Sequence, residues 1–250
     1  MIQSLSHVQT HRQHRMHVTH RRREWLIILF ILVVALASFA FGYFKAVSWS
    51  DVILAVLITA YRLFVAYGIA LALGLVIGLF VGWSRFSDYL FPVFDLLQNI
   101  PSFALIPLFI YFFGFTDEMI VLFAVTSIIW PILFSVLTAI KSAHVDLNDA
   151  ATIFGARGVK RIFYYLAPLV FPAVLSGSIV GVAIGWETVI GAEIISNVST
   201  GFGQYIRVAS ATGLSQASVV GVFVILLVVF EVNRLIWAPR LRESAKMYAE

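Results

Sequence analysis

The sequence predicts an all-α membrane protein with six transmembrane helices and both termini in the cytoplasm. Of its 250 residues, 61% are hydrophobic and 12% are charged, and the mean hydropathy is +0.95. Water-soluble domains are about 45–50% apolar and about 25% charged, and disordered chains are poor in aromatic and branched residues. We therefore expect lipid to be the solvent around most of this chain.

The six predicted spans are apolar runs long enough to cross a hydrocarbon core of about 30 Å, at 1.5 Å of helix per residue. They comprise residues 25–44, 63–83, 96–116, 119–140, 162–186 and 216–237. Between the fifth and sixth spans, residues 191–215 are rich in Ser, Thr, Asn and Gly. This segment is predicted to form a polar loop or a partly re-entrant segment.

The distribution of Lys and Arg determines the predicted orientation, because these residues are retained on the cytoplasmic side of membranes. With the N-terminus inside, 14 of the 17 basic residues are cytoplasmic, and the exceptions are Lys45, Arg62 and Arg207. The net charge of +4 then reflects the topology of a multi-pass protein of the cell (inner or plasma) membrane, and no nucleic-acid partner is expected. Arg62 is expected to extend its charge to the membrane interface rather than to bind an anion.

Four regions follow from this organisation. Residues 1–22 form a polar cytoplasmic extension, rich in His and Arg and expected to lack fixed structure; 23–48 hold the first transmembrane helix; 49–240 form the main transmembrane domain, with a cytoplasmic loop at 141–162; and 241–250 form a cytoplasmic tail. A cleavable signal peptide is the alternative interpretation of the start, because small residues at 35–37 follow an apolar run. The run continues for seven residues beyond them, which favours a span.

Metal and cofactor sites are not predicted for this chain. The N-terminal extension carries five histidines, but no carboxylate accompanies them and the neighbouring arginines would repel a cation. The chain has no cysteine, which excludes thiol catalysis, disulfides and iron–sulfur clusters. It also lacks HExxH, GxSxG and phosphate-loop motifs. We therefore do not expect an enzyme.

Glycine recurs at every fourth position in the second and fifth predicted spans. In lipid, such stripes let helix backbones approach closely, and they mark helix interfaces more often than ligand sites. Helix packing is therefore predicted for Gly74, Gly78 and Gly82, and for Gly177, Gly181 and Gly185.

Two features of the spans suggest a translocation pathway. The third span and its entry at residues 89–94 contain prolines at positions 92, 101 and 107, and an interrupted backbone at membrane depth is tolerated where it is buried or lines a cavity. Asn99 and Pro101 are therefore pathway candidates. Glu187 and Glu193, at the far end of the fifth span, are further candidates, because acidic groups within spans are usually functional. For Glu193, a role as a structural polar anchor is an equal alternative.

The loop at 141–162 has an amphipathic pattern of its own. Asp146 can cap a short helix there, and Gly155 can end it in a left-handed conformation. One apolar face follows from side chains at i, i+3, i+4 and i+7, which are Leu147, Ala150, Ala151 and Phe154. Such a face fits a groove on a partner protein, and a helix lying flat on lipid is the alternative.

This loop resembles that of the permease subunits of binding-protein-dependent ABC importers, whose motif is Glu-Ala-Ala, three residues, Gly, and later Ile-x-Leu-Pro. Here the corresponding positions are Asp149, Ala150, Ala151, Gly155 and Pro168. The departures from the motif are Asp149 in place of Glu, Tyr165 in place of Ile and Ala167 in place of Leu. They affect the detail of docking more than the assignment.

The resemblance extends over about residues 55–240 and is closest to the nitrate, sulfonate, taurine and bicarbonate branch. Matching segments are residues 97–107, 113–115, Gly155 with Ala156, Trp186 followed by Glu193, and 201–203. The resemblance implies the type I (MetI-like) permease fold, and it adds Trp186 to the pathway candidates. It also implies that the Asp149–Gly155 helix is a coupling helix on a separate cytoplasmic ATPase, with contacts from Leu147, Asp149, Ala150, Ala151, Phe154, Gly155, Ala156 and Pro168.

The implied partners are two ATPase subunits that bind the ATP, an external solute-binding protein and a second permease copy, expected as a homodimer in membrane lipid. The branch favours a small anion as the solute, although related permeases also carry heterocyclic vitamin precursors. A self-sufficient secondary transporter or channel is the alternative function. It would need charged coupling sites near mid-membrane, whereas Asp95, Glu187 and Glu193 lie towards span ends.

Overall fold

The computed structural model describes residues 29–30, 32–34, 48–143, 151, 153, 155, 158–213 and 215–247. Its longer elements are α1 (Trp49–Trp83), α2 (Ser87–Gln98), α3 (Ile106–Phe113), α4 (Asp117–Lys141), α5 (Ala167–Ile195), α6 (Phe202–Ala211), α7 (Ser215–Val232) and α8 (Ala238–Met247). A 3₁₀ turn at Ser102–Leu105 precedes α3. A helical turn at Val159–Arg161 and a π-helical segment at Ile162–Leu166 lead into α5, and another π-helical segment at Asn233–Trp237 joins α7 to α8.

Four helices in the described part of the chain are long and apolar enough to cross a membrane. They are Trp49–Trp83, Asp117–Lys141, Ile162–Ile195 and Ala217–Leu241, and a bent pair of helices gives a fifth. These elements correspond to the second to sixth predicted spans. The first predicted span, 25–44, lies mostly outside the described residues, although 29–30 and 32–34 are helical. The predicted extension at 1–22 lies outside them entirely.

The second span is longer than predicted, because α1 has 35 residues and begins at Trp49 instead of Leu63. One face of its added turns is packed inside the protein, where Val52 and Thr59 are fully buried. The prediction began the span directly after Arg62, on the assumption that a charge marks the membrane interface. That assumption was wrong here, because Arg62 is itself buried.

The third predicted span, 96–116, is not one continuous helix. It is divided between α2 and α3, whose axes are bent by 79°. The break lies at Asn99–Pro101, where Pro101 is extended with φ −60° and ψ 110°. Proline lacks the N–H needed to continue the helix, so the expected interruption is confirmed. The predicted span began at Leu96 because an uncharged run was required and Asp95 interrupts it, whereas α2 begins at Ser87.

Helix α4 lies between α1 and α5, and glycine stripes form both contacts. Hypothetical β-carbons on Gly74, Gly78 and Gly82 of α1 would lie 3.0, 2.8 and 2.7 Å from side-chain atoms of Ile132, Val136 and Ile140, respectively. Both sets of positions increase together, so α1 and α4 run parallel. Because the glycines have no side chains, the branched residues of α4 rest directly on the α1 backbone.

The contact between α4 and α5 is similarly close. Hypothetical β-carbons on Gly177, Gly181 and Gly185 would lie 2.7 Å from the Pro131 carbonyl oxygen and 3.2 and 2.8 Å from side-chain atoms of Ile128, respectively. Positions on α5 increase as those on α4 decrease, so these two helices are antiparallel. As a result, the starts of α1 and α4 and the end of α5 lie at one end of the bundle, which we call the Arg62 end. The loop between α4 and α5 lies at the opposite end, the loop end.

The predicted polar segment 191–215 is mostly helical. Residues 191–195 complete α5, a short connection follows, and 202–211 form α6. The polar-loop prediction was wrong because small and polar residues were interpreted as loop formers, whereas tertiary contacts stabilise the helices here. The alternative of a partly re-entrant segment stays a prediction. Phe202 is fully buried and stacks on Tyr205 with ring centroids 6.3 Å apart.

Candidate functional site

A buried ion pair joins the helices at the Arg62 end. Only 1% of the Arg62 side chain is exposed. Its Nη1 donates to Glu193 Oε1 at 2.6 Å and to the Thr200 carbonyl oxygen at 2.9 Å. Its Nη2 donates to Asp117 Oδ1 at 2.5 Å and to Thr200 Oγ1 at 2.9 Å. One guanidinium therefore links α1, the first residue of α4, the end of α5 and the α5–α6 connection.

Glu193 is the counterpart of Arg62 and is completely buried. Thr59 Oγ1 lies 2.9 Å from both carboxylate oxygens and donates a hydrogen bond to them. The Gly203 N–H donates to Oε2 at 2.8 Å, while the Phe202 N–H donates to Thr59 Oγ1 at 2.8 Å. The carboxylate is thus surrounded by donors from α1 and α6, as a buried charge requires.

The glycines at 201 and 203 leave room for this ion pair. Gly201 has φ +111°, a conformation that residues with a side chain rarely adopt. A β-carbon there would collide with Glu193 and with Arg62. At Gly203 it would collide with the Ile190 carbonyl oxygen and with Glu193. The Gly-Phe-Gly sequence therefore follows from the close approach of the backbone to a buried carboxylate.

Tyr205 connects helix α6 to α7. The tyrosine hydroxyl donates a hydrogen bond to the Ala217 carbonyl oxygen at 3.5 Å. Burial, and to a lesser extent the Asp51 carboxylate, raises the pKa of the Tyr205 hydroxyl above its ordinary value. The group therefore remains a neutral donor at neutral pH.

This geometry corrects the prediction for Arg62, whose charge is buried among protein groups instead of being exposed at the surface. The error has a physical reason: its partners Asp117 and Glu193 follow 55 and 131 residues later, and no local pattern connects them. For Glu193, the arrangement is that of a structural anchor, since its oxygens already accept from three donor groups, Thr59, Arg62 and Gly203. Glu193 thus has no free oxygen for a passing solute.

The pathway candidates do not share one surface. Trp186 is buried, and its Nε1 has no hydrogen-bond partner among the described residues. Glu187, Asn99 and Pro101 are exposed. Asn99 Nδ2 donates to the carbonyl oxygen of Asp95 at 2.5 Å, which closes the end of α2. The buried Trp186 and Glu193 thus belong to the core, while the three exposed residues line the outside of the described bundle.

At the loop end, three of the predicted coupling residues are described. Ala151 is helical and Gly155 has φ +75°, the left-handed conformation expected for a glycine that ends a helix. Pro168 is exposed near the start of α5. Ile153, between the first two, is 82% exposed. The other predicted coupling residues lie outside the described residues: Leu147, Asp149, Ala150, Phe154 and Ala156.

A cleft of about 590 Å³ opens between α4 and α5 towards the loop end. Its walls contain small and hydroxyl-bearing side chains. Ser142 and Ser176 donate their hydroxyls to carbonyl oxygens of their own helices. The hydroxyls of Ser135 and Thr138 make no hydrogen bond within the described part of the chain. The cleft therefore offers uncharged hydrogen-bonding groups.

Apolar helices packed through glycine, with a polar loop at one end and a buried ion pair at the other, define a multi-pass integral membrane protein. Residues 70–236 match the family described as the binding-protein-dependent transport system inner membrane component, and the chain belongs to this family. The resemblance inferred from the loop motif is thereby confirmed.

Relatives support the same branch of the family. The chain is 27% identical over 190 residues to the taurine transport system permease protein TauC of Escherichia coli (strain K12), covering 76% of this chain and 67% of TauC. It is 26% identical over 193 residues to the nitrate import permease protein NrtB of Synechococcus elongatus, covering 75% and 69%. It is 27% identical over 150 residues to the putative aliphatic sulfonates transport permease protein SsuC of Bacillus subtilis, covering 60% and 54%. The chain thus spans between about half and about two thirds of these relatives.

Proposed function

We propose that this chain is the permease subunit of an ABC importer and forms the translocation pathway for a small anion of the taurine, sulfonate, nitrate or bicarbonate type. An external solute-binding protein delivers the solute, and a separate cytoplasmic ATPase supplies the energy. The observation that carries this proposal is the family match over residues 70–236. The names of the relatives support the class of solute.

In this proposal the loop end faces the cytoplasm, both termini are cytoplasmic, and two copies of the chain enclose the pathway. The excess of basic residues supports the orientation. The ATPase receives the helix around Ala151 and Gly155, and the exposed Ile153 offers an apolar contact for its groove. Closure of the two ATPase subunits on ATP draws the loops together. The segment from Val159 through Pro168 carries this movement into α5 and opens the Arg62 end to the outside.

The proposed solute is recognised within the membrane by neutral groups. Arg62 is the one buried cationic side chain in the described part of the chain, and two carboxylates already occupy it. An anion therefore meets hydroxyl and amide donors, for which Ser135 and Thr138 in the α4–α5 cleft are suited. Of the pathway candidates, the exposed Asn99, Pro101 and Glu187 can face a pathway between two copies.

A secondary transporter or channel is the competing function. It would need a titratable group free to change its charge within the spans. The buried Glu193 is instead neutralised by Arg62. Uptake that persists after ATP depletion would favour this competing function.

The substitution Gly155→Arg tests the proposal, and Gly213→Arg is a matched control. Both glycines have φ +75°, and neither has an atom within 4 Å of a hypothetical β-carbon, but Gly213 lies at the Arg62 end. We expect Gly155→Arg, like Ala151→Asp, to abolish ATP-dependent uptake and co-purification of the ATPase while membrane insertion is retained. Gly213→Arg should retain both. Normal co-purification with the Gly155→Arg, Ala151→Asp double variant would refute the coupling assignment.

A further inference from the structure

The residues at both ends of the 141–161 loop contact the same part of the protein, the corner between α1 and α2 at residues 83–91. Lys141, the last residue of α4, marks the point where the chain leaves for the loop. Its Nζ lies 2.9 Å from Asp88 Oδ1 and 4.6 Å from the centre of the Phe91 ring. The start of the loop therefore contacts the start of α2 through Lys141.

The returning end makes an analogous contact with α1. The guanidinium carbon of Arg161 lies 4.4 Å from the centre of the Trp83 ring and 5.8 Å from that of Tyr165. Trp83 is the last residue of α1, while Arg161 and Tyr165 precede α5. A cleft of about 360 Å³ opens among these helix ends, bounded by Gly82, Ile140 and Leu169. Arg161 thus lies in this cleft and connects the end of α1 to the segment that precedes α5.

We infer that Trp83 is a positioning residue for transport: through Arg161, and with Asp88 holding Lys141, it couples movement of the loop to α1. This inference rests on the proposed function. The chain itself connects the loop only to α4 and α5. Arg161 adds a third connection, to α1, the helix that carries Arg62 about six turns away. Lys141 adds a connection to α2. Movement of the loop then reaches α1 directly as well as through the α4 interface.

The first experiment tests the contact between the Trp83 ring and Arg161. Trp83→Leu keeps an apolar side chain but loses the attraction between the ring and the guanidinium, whereas Trp83→Phe keeps a ring. Phe80→Leu is the control, since Phe80 lies one turn earlier on α1, is 77% exposed and has no ring contact in the described structure. Each variant is reconstituted in proteoliposomes with the ATPase and the binding protein, and solute uptake and ATP hydrolysis are measured together.

We expect Trp83→Leu to lower uptake per ATP hydrolysed by roughly three- to tenfold, the equilibrium effect of losing one such contact. Trp83→Phe should retain most of the wild-type ratio, and Phe80→Leu all of it. Co-purification of the ATPase should be unchanged in each, which separates positioning from docking. A ratio for Trp83→Leu equal to that for Phe80→Leu would overturn the inference.

Charge reversal tests the other end of the loop. Lys141→Asp and Asp88→Lys should each lower the ratio, and the double variant should restore it, because the pair is re-formed with opposite polarity. A double variant no better than the worse single variant would overturn the role of this pair. If the wild-type complex itself shows no ATP-dependent uptake, the proposed function fails and the inference fails with it. Normal wild-type uptake with an unchanged ratio in Trp83→Leu removes only the inference.

Discussion

Arg62 shows how a full charge is accommodated within an apolar bundle. Removing a guanidinium from water is expensive, and neutralisation together with hydrogen bonds to the remaining donors offsets this penalty. Glu193 and Asp117 provide the charge, and Thr200 accepts from both terminal nitrogens. Asp117 is 66% exposed, so its contribution is screened by water. Glu193 is therefore the dominant partner.

Glu193→Gln should destabilise the folded protein because Arg62 would lose its buried counter-charge. We expect a loss on the order of 3 kcal/mol, visible as a lower midpoint of thermal unfolding in detergent. Glu187→Gln is the control, since it is the same substitution on the same helix at an exposed position. Equal midpoints for the two variants would contradict the anchoring role of Glu193.

The sequence indicated that Glu193 is important but did not indicate its partner. An acidic residue within a span is conspicuous, whereas Arg62 was interpreted from its position near a span end. Arg62 and Glu193 lie at the same end of the bundle because α1 packs parallel to α4 and α5 packs antiparallel to it. The glycines at 201 and 203 were a usable signal, because two close glycines around an aromatic residue indicate a close backbone approach.

Among the helices, α4 depends most on its neighbours. Glycine stripes on α1 and α5 contact it from two sides, and branched side chains face all of these glycines except Gly177. The four-residue spacing of the glycines was visible in the sequence. The helix that receives them was not, because a stripe identifies a contact face without identifying the surface opposite.

Gly177→Ala should weaken the α4–α5 contact. Its β-carbon would lie 2.7 Å from the Pro131 carbonyl oxygen and 2.9 Å from Ile132 Cα, and backbone atoms cannot move aside as a flexible side chain can. We expect a loss of about 1–3 kcal/mol, measured by thermal unfolding in detergent. Gly68→Ala should be neutral or stabilising, because that glycine has nothing within 4 Å and alanine favours helix. A Gly177→Ala protein as stable as Gly68→Ala would contradict the close contact.

The break between α2 and α3 could be predicted from the sequence, but the angle between the two helices could not. Proline at 101 predicted that the backbone is interrupted, and the structure confirms it. The 79° angle does not follow from any single residue. It depends on where α3 finds apolar contacts, among them Phe109 packed edge-to-face on Phe123 of α4.

For the whole molecule, the two ends of the bundle should be accessible from opposite sides of the membrane. The chain has no cysteine, so single variants report one position each. A membrane-impermeant thiol reagent should label Ser142→Cys only from the cytoplasmic side and Thr212→Cys only from the outside, since both positions are exposed but lie at opposite ends. Labelling of both from the same side would contradict the proposed topology.

The all-helical, multi-pass architecture and the family could be predicted because they depend on composition, on span length and on a motif confined to one loop, while the count of six spans stays a prediction. These are local properties of the chain. The Arg62 end could not be predicted, because it is assembled from α1, α4, α5 and α6, and its defining contacts join residues more than 50 positions apart.

The order of the ion pair along the chain has a consequence for biosynthesis. Chains grow at about 5–20 residues per second, so Glu193, 131 residues after Arg62, follows it by roughly 7–26 s. Asp117, 55 residues after Arg62, follows it by roughly 3–11 s. Of the two counter-ions that Arg62 has in the folded protein, Asp117 is thus the first to be synthesised. The weaker partner in the finished protein is then the earlier one during membrane insertion.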